Sequence, residues 1–223
     1  DLGNGINVNL YNTDKFKSNF LSFYFKRPLA RKEITKNALL PLVIKRGTNK
    51  FKTNKELDRK LESLYGANLS IGINKKGEKQ VLRYSLEWAA ESYTSEIGLD
   101  IKAIEMLDEI IFNPLINDES FNEEYVNQEK KNLKNLINGR VNNKRSYTIN
   151  KCIETMCKNE RFGHYPLGYL EDIDEIDGKN LYLQYKEIIS TSPIEIVYVG
   201  NNIENIKKYL INNYSFKREM KFI

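Results

Sequence analysis

The chain has 223 residues, of which 40% are hydrophobic and 29% charged, and 35 basic against 30 acidic residues give a formal net charge of +5. This composition is typical of a globular protein and excludes a disordered chain, and no apolar run approaches the ~18 residues of a membrane-spanning helix. The basic excess is small, and Lys and Arg alternate with Glu along most predicted helices, which argues against nucleic-acid and membrane partners.

The chain ends and the cysteines bear on its context. The first residues, "DLGNGINVNL", lack the basic start and apolar stretch of a secretory signal peptide. The last residues, "KREMKFI", read as the start of a further strand, so we expect a fragment of a longer protein. Cys152 and Cys157 point in different directions on a predicted helix, which argues against a disulfide or a zinc knuckle. We therefore predict buried, reduced thiols in a cytoplasmic protein.

The first fifty residues predict two strands and a helix. Ile6, Val8 and Leu10 alternate in "GINVNLYNTD", as in a strand with one buried face. The next stretch, "SNFLSFYFKRP", is apolar on nearly both faces, which is typical of a central strand. A helix is predicted from Ala30 to Arg46, although it contains Pro41, a residue that costs about 3 kcal/mol inside a helix.

Residues 53–90 predict a second helix and a β-hairpin. The helix starts with Thr53 or Asn54 as its N-cap, carries a stripe of leucines and ends at Gly66. The stretches "NLSIGINKKG" and "EKQVLRYSLEWA" alternate in polarity and are joined by a turn at Gly77, which indicates two half-buried strands.

The remaining residues predict helices around one buried strand, "PIEIVYVG". The predicted helices are Glu96 to Phe112, Glu119 to Val141, Ser146 to Asn159, Gly178 to Thr191 and "NIENIKKYLINNY", while "RFGHYPLGYLEDIDEIDG" is a predicted loop. Strands in blocks with long helices between them predict an α+β fold, in which helices pack mainly on one face of a mixed sheet. No linker divides residues 1–223, so we expect a single domain.

Five short motifs follow one another along the chain: "KRGTNKF" after the Pro41 helix, Gly66-Ala67-Asn68-Leu69 before a strand, "FNEEYVNQEKKNLKNLI", "FGHYPLGYLEDIDEI" and "LYLQYKEIISTSPIEIVYVGN". In this order they resemble the N-terminal domain of the pitrilysin-type (insulinase, inverted zincin) metallopeptidases, which includes the mitochondrial processing peptidase. The resemblance implies that family's two-layer fold. It also implies that the chain is the N-terminal half of a protein with two such domains.

The resemblance also defines where a catalytic site would lie. In that family H-x-x-E-H precedes Gly-Thr; its histidines and a downstream Glu bind zinc, and its Glu is the general base. Aligned on Gly47-Thr48 and on Glu129, the first histidine, the base, the second histidine and the downstream Glu fall on apolar residues: Ala38, Pro41, Leu42 and Leu136. These side chains cannot bind a metal or accept a proton. The sequence therefore predicts no catalytic residues, no bound metal and no cofactor.

The run "NNKRSYTINKCIETMCKNERFGHYPLG" is similar to the inactive member of bacterial pairs whose other member keeps H-x-x-E-H. One such pair is associated with 5-aminopentanol modification of elongation factor P. The resemblance implies a non-catalytic subunit that forms a heterodimer with an active homologue and binds a peptide or protein substrate. Candidate contact residues lie at the tip of the predicted hairpin and in the loop after residue 160: Lys75, Lys76, Arg161 and Tyr165.

Two other functions are weighed against this hypothesis. A zinc peptidase with different ligands would have to use clustered carboxylates, which suit magnesium or calcium better: Glu123, Glu124, Glu129, Glu171, Asp172, Asp174, Glu175 and Asp177. A binding module unrelated to proteolysis would use aromatic residues, but their spacing is typical of a core. His164, the only histidine, is predicted to pack within its loop.

Overall fold

A computed structural model describes residues 1–214 of the chain. The predicted strand at "KREMKFI" therefore lies outside the described residues. The strands are β1 (Ile6–Asn12), β2 (Ser18–Pro28), β3 (Asn68–Lys76), β4 (Lys79–Ala89), β5 (Ile116–Asn117), β6 (Ser120–Phe121) and β7 (Ile194–Gly200). The helices are α1 (Ile34–Ile44), α2 (Asn54–Ser63), α3 (Leu99–Phe112), α4 (Glu123–Gly139), α5 (Lys144–Met156), α6 (Leu170–Ile173), α7 (Gly178–Thr191) and α8 (Ile203–Tyr214).

Five strands form one mixed sheet in the order β1-β7-β2-β4-β3. Strand β7 pairs in parallel with β1, and the pairs β7–β2, β2–β4 and β4–β3 are antiparallel. The prediction that "SNFLSFYFKRP" is a central strand is confirmed, because β2 lies in the middle of the sheet. The short β5–β6 hairpin was not predicted.

The helices pack mainly on one face of the sheet, as the α+β prediction requires. Leu21, Phe23 and Phe25 of β2 project to this face and are fully buried. Their register partners on β7 and β4 are buried as well: Tyr198, Ile196, Ile194, Leu86, Tyr84 and Leu82. On the opposite face the strands carry polar or half-buried residues, such as Ser22 and Ser85, whose hydroxyl oxygens lie 2.8 Å apart.

Helix α1 contains Ala38, Pro41 and Leu42 and is largely buried. It begins at Ile34 rather than at Ala30, because residues 31–33 form a turn, and it ends at Ile44. Leu39 and Val43 are buried along one face and Leu40 and Ile44 along the adjacent one, as expected for a helix that is apolar over most of its surface. Pro41 lies inside the helix and is buried with them.

A buried hydrogen-bonded network fixes the start of α1. The Asn37 side chain donates to Gln80 Oε1 on β4 at 3.0 Å and accepts from Gln184 Nε2 on α7 at 2.8 Å. Gln80 Nε2 in turn donates to the Ile34 carbonyl at 3.0 Å and to the Pro166 carbonyl at 2.6 Å. These amides connect the sheet, two helices and the loop after α5.

Several predicted helix boundaries shift by a few residues. Helix α2 begins at Asn54 with a capping box, in which the Thr53 hydroxyl accepts from the Glu56 N–H and the Glu56 carboxylate accepts from the Thr53 N–H. Helix α4 begins at Glu123 because Asn122 provides the N-cap. The predicted loop at residues 161–178 also contains the single turn α6.

Candidate functional site

The three residues of α1 that align with the two histidines and the glutamate of H-x-x-E-H form a hydrocarbon surface. Ala38 is fully buried, Pro41 is buried and Leu42 is half-buried. Ala38 and Leu42 lie four residues apart and therefore on one face of the helix, the arrangement in which two ligands could share a metal. A methyl group and an isobutyl group occupy that face instead.

The fourth position lies apart from the other three. Leu136 is 49% exposed on α4, whereas Leu133 and Ile137 of the same helix are buried. A cleft of about 410 Å³ separates α1 from α4, and the α4 residues that line it with Leu42 are Glu129 and Asn132. Leu136 follows Asn132 by one helical turn, so the aligned position lies beyond this cleft.

An ion pair occupies the cleft between α1 and α4. Arg46 Nε donates to Glu129 Oε1, and Asn132 Nδ2 donates to Glu129 Oε2 at 3.0 Å. The Glu129 side chain is only 7% exposed, and protein donors satisfy both of its carboxylate oxygens. The sequence contains both residues but gives no signal that residues 46 and 129 meet.

The carboxylates considered as alternative ligands are dispersed. Within residues 1–214, no group of three or more His, Cys, Asp or Glu side chains is arranged to hold a metal ion. Asp172 accepts from Arg31 and from the Thr35 hydroxyl, and Asp174 accepts from Lys134 at 2.8 Å. Other members of the set make caps and surface contacts, as Asp177 does in accepting from Asn180 N at 2.7 Å.

The hairpin tip and the loop after α5 contact each other, which the sequence did not predict. Lys75 Nζ donates to the Phe162 carbonyl at 2.8 Å and to the His164 carbonyl at 3.3 Å, and lies 4.3 Å from the Phe162 ring centroid. Lys75 is half-buried, and this burial lowers its pKa. Of the two candidate contact residues at the hairpin tip, Lys75 is therefore engaged within the chain, while Lys76 is exposed.

The two candidate contact residues in the loop after α5 also differ in exposure. Arg161 is exposed, whereas Tyr165 is half-buried beneath the Arg140 guanidinium, whose carbon lies 4.5 Å from the ring centroid. His164 Nδ1 lies 2.8 Å from the Tyr169 hydroxyl, which matches the predicted loop-packing role. Burial, with the positive charges of nearby Arg31 and Lys75, lowers the pKa of His164 and favours the neutral ring.

The cysteines are free, but the prediction that both are buried is wrong. Cys152 is exposed and Cys157 is half-buried. The reason is that α5 contains no buried residue, so its side chains reach solvent on several sides. Among the described residues, no helix is long and apolar enough to cross a membrane.

Comparisons with known proteins support the resemblance found in the sequence. No family model matches the chain. Over 216 residues the chain is 33% identical to the "probable inactive metalloprotease YmfF" of Bacillus subtilis strain 168, covering 96% of this chain and 50% of that protein. The chain thus spans half the length of this relative.

Solved structures share the fold. A conserved protein from Enterococcus faecalis V583 superimposes with a TM-score of 0.86 and 26% identity over 96% of this chain and 50% of that one. The M16 peptidase inactive domain from Pseudomonas fluorescens gives a TM-score of 0.75 and 14% identity over 99% of this chain and 50% of that one. The periplasmic protease PqqL of Escherichia coli gives 0.73 and 13% over 99% of this chain and 24% of that one.

The similarity in sequence to an inactive metalloprotease and the shared M16 fold agree with the apolar residues on α1. The chain is thus similar in sequence to a probable inactive metalloprotease and shares its fold with an M16 peptidase inactive domain.

Proposed function

We propose that the chain is part of a non-catalytic subunit that pairs with an active, zinc-binding homologue and contributes peptide-binding surface to it. The observation that supports this most directly is the hydrocarbon at Ala38, Pro41 and Leu42 in an otherwise retained peptidase fold. A heterodimer in the cytoplasm is the arrangement implied by the resemblance.

The test is to copurify the protein with a homologue that keeps H-x-x-E-H, and to assay each alone and both together for zinc and peptide hydrolysis. We expect zinc and activity only where the homologue is present, with higher activity in the mixture. Stoichiometric zinc and peptide cleavage by this protein alone would contradict the proposal and favour the alternative of a zinc peptidase with other ligands.

The sheet edge at β3 is the proposed site of peptide contact. In the described part of the chain, β3 pairs on one side with β4 and leaves its other side open. Ile71 of β3 lines the same cleft as Leu42, so a peptide added along this edge would pass the place where the family holds its metal. Extended peptides bind such edges through backbone hydrogen bonds.

Hydrogen exchange can test the peptide edge. On addition of an unstructured peptide substrate of the pair, exchange of β3 amides should slow. The amides of β1, the opposite edge of the sheet, serve as the internal control. Equal protection of both edges, or of neither, would argue against β3.

The link to 5-aminopentanol modification of elongation factor P is a finer part of the proposal. Deleting the gene should remove the added mass from elongation factor P, as measured by mass spectrometry of the intact protein. Restoring the gene should restore the mass. An unchanged mass in the deletion strain would separate the protein from that modification without affecting the proposed pairing.

A further inference from the structure

Helix α5 packs a mixed side inward and contains no buried residue. Its half-buried residues are Tyr147, Asn150, Ile153 and Glu154. Arg140 contacts two of them: its Nη1 donates to Glu154 Oε1 at 2.8 Å and its guanidinium carbon lies 5.4 Å from the Tyr147 ring centroid. A surface helix ordinarily packs its apolar stripe against the core, whereas α5 leaves several apolar side chains exposed.

The outward side of α5 is an apolar stripe. Ile149 is 51% exposed and Met156 is 76% exposed. Cys152 lies between them and is also exposed, and its sulfur lies 3.5 Å from that of Met156. With Arg145 one turn earlier, these residues follow the three- and four-residue spacing of a single helix face, which we call the α5 stripe.

The charges next to the α5 stripe are mainly positive. Within residues 141–158 the basic residues are Lys144, Arg145, Lys151 and Lys158, and the single carboxylate is Glu154. Glu154 is engaged by Arg140 and by Lys151 at 2.7 Å. The stripe therefore offers apolar surface beside a local excess of positive charge.

We propose that the α5 stripe is a docking surface for an acidic, amphipathic helix of another protein. Exposed apolar side chains at helical spacing fit the apolar face of such a helix, and its Asp and Glu residues would complement the surrounding cations. The stripe lacks the aromatic residues that anchor helices at membrane surfaces or stack on bases. The inference does not depend on the proposed pairing with an active peptidase.

The experiment measures binding of labelled synthetic peptides of about 14 residues to the full chain by fluorescence anisotropy. One peptide carries Leu at helical spacing and Glu at the remaining positions; a second replaces every Glu by Lys, and a third scrambles the first. We expect only the first to bind, with an affinity that falls as salt is raised.

The protein variants are chosen from exposed side chains so that the fold is kept. Ile149→Ser combined with Met156→Ser should weaken binding of the Glu peptide about tenfold or more, and so should Lys144→Glu combined with Arg145→Glu. The matched control is Ile97→Ser combined with Leu183→Ser, two exposed apolar residues on other elements, which are 89% and 60% exposed. The control should bind as the wild type does.

Several results would overturn the proposal. These are equal binding of the Glu and Lys peptides, no binding of the Glu peptide, or wild-type affinity in the Ile149 and Met156 variant. Binding of phosphatidylserine vesicles or of an RNA oligonucleotide that the same variant abolishes, without peptide binding, would assign the stripe to a membrane or to RNA. A dimer that the variant dissociates in light scattering would assign it to a second copy of the chain.

Discussion

The carboxyl group of Asp108 is held between two phenols. Tyr209 Oη donates to Asp108 Oδ2 at 3.1 Å, and Tyr214 Oη donates to Oδ1, so the contact fastens α8 to α3. Burial raises the pKa of Asp108 to about 7; the Tyr209 hydrogen bond opposes this rise, and the negative charge of Glu105 adds to it.

This raised pKa predicts a pH-dependent stability. The unfolded chain loses the proton near the ordinary pKa while the folded protein keeps it to about pH 7, so the free energy of unfolding falls as pH rises through that interval. Asp108→Asn keeps an oxygen acceptor but cannot ionise. As pH rises across this interval, the free energy of unfolding of the variant, measured with urea, should increase relative to that of the wild type by on the order of 2–4 kcal/mol. If the free energies of unfolding of the two proteins changed with pH in parallel, the raised pKa of Asp108 would be contradicted.

The Arg46–Glu129 pair predicts a loss of stability when its acid is neutralised. Glu129→Gln leaves the Arg46 guanidinium without its charge partner between α1 and α4, and should lower the free energy of unfolding by about 1–3 kcal/mol. The matched control is Glu119→Gln, which removes a pair with Lys186 whose side chains are 80% and 46% exposed. That change should be nearly neutral. Equal effects in urea unfolding would show that burial does not set the strength of the pair.

At the scale of elements, α1 is the helix on which the resemblance places H-x-x-E-H, and its residues at those positions are apolar. Placing the motif back by Ala38→His, Pro41→Glu and Leu42→His supplies two imidazoles and a carboxylate. It does not supply a third ligand, because Leu136 lies beyond the cleft and Glu129 is paired with Arg46. We expect no stoichiometric zinc by metal analysis, and lower stability because larger polar groups enter a packed helix.

The outcome that would contradict this expectation is one zinc per chain in the triple variant. Adding Leu136→Glu tests the alignment itself. If the quadruple variant alone binds zinc, residue 136 is the position of the third ligand.

Lys75 connects the β3–β4 hairpin to the loop after α5. Lys75→Met removes both hydrogen bonds to the loop carbonyls and keeps most of the aliphatic chain. The variant should lose about 1–2 kcal/mol of stability and become more sensitive to trypsin at Arg161. Lys76→Met, at the exposed neighbouring position, should change neither. Similar proteolysis of both variants would contradict the role given to Lys75.

At the scale of the whole molecule, the Gln80 side chain of β4 joins the sheet to α1 and to the loop after α5, and Asn37 extends this network to α7. Gln80→Met has a similar shape but removes the partner of Asn37 Nδ2 and of the Ile34 and Pro166 carbonyls. We expect a loss of about 2–4 kcal/mol in urea unfolding, with faster hydrogen exchange in α1 and α7 together. Gln128→Met, on the surface of α4, removes only a bond to Glu124 and should be nearly neutral. A local effect confined to β4 would argue against a shared network.

Periodicity was sufficient to predict the large elements. The alternation of Ile6, Val8 and Leu10 and the two-sided apolar pattern of "SNFLSFYFKRP" predicted β1 and the central β2 correctly. Patterns of this kind record which side of an element is buried, and burial dominates the choice of element. Boundaries depended on local details: α1 starts later than predicted because residues 31–33 form a turn, and α4 because Asn122 provides its N-cap.

Contacts between distant residues could not be predicted from the sequence. Arg46–Glu129 and Lys75 with the residue 162–164 carbonyls join residues more than eighty positions apart. The exposure of Cys152 was missed for the same reason, because the side of α5 that packs inward depends on contacts with other segments, such as that between Arg140 and Glu154. By contrast, the sequence alone shows that Ala38, Pro41 and Leu42 cannot bind a metal, because this depends only on the type of side chain.

Because β7 lies between β1 and β2, the sheet can be completed only after residues 194–200 have been synthesised. The first two strands leave the ribosome early but cannot pair with each other, and they wait for residues 194–200 to fill the space between them. During this interval, on the order of ten seconds or longer at usual translation speeds, β1 and β2 expose strand edges to solvent or to chaperones. A nascent chain halted before Pro193 would thus be trapped with an unclosed sheet, and it is in that state that we expect the protein to aggregate.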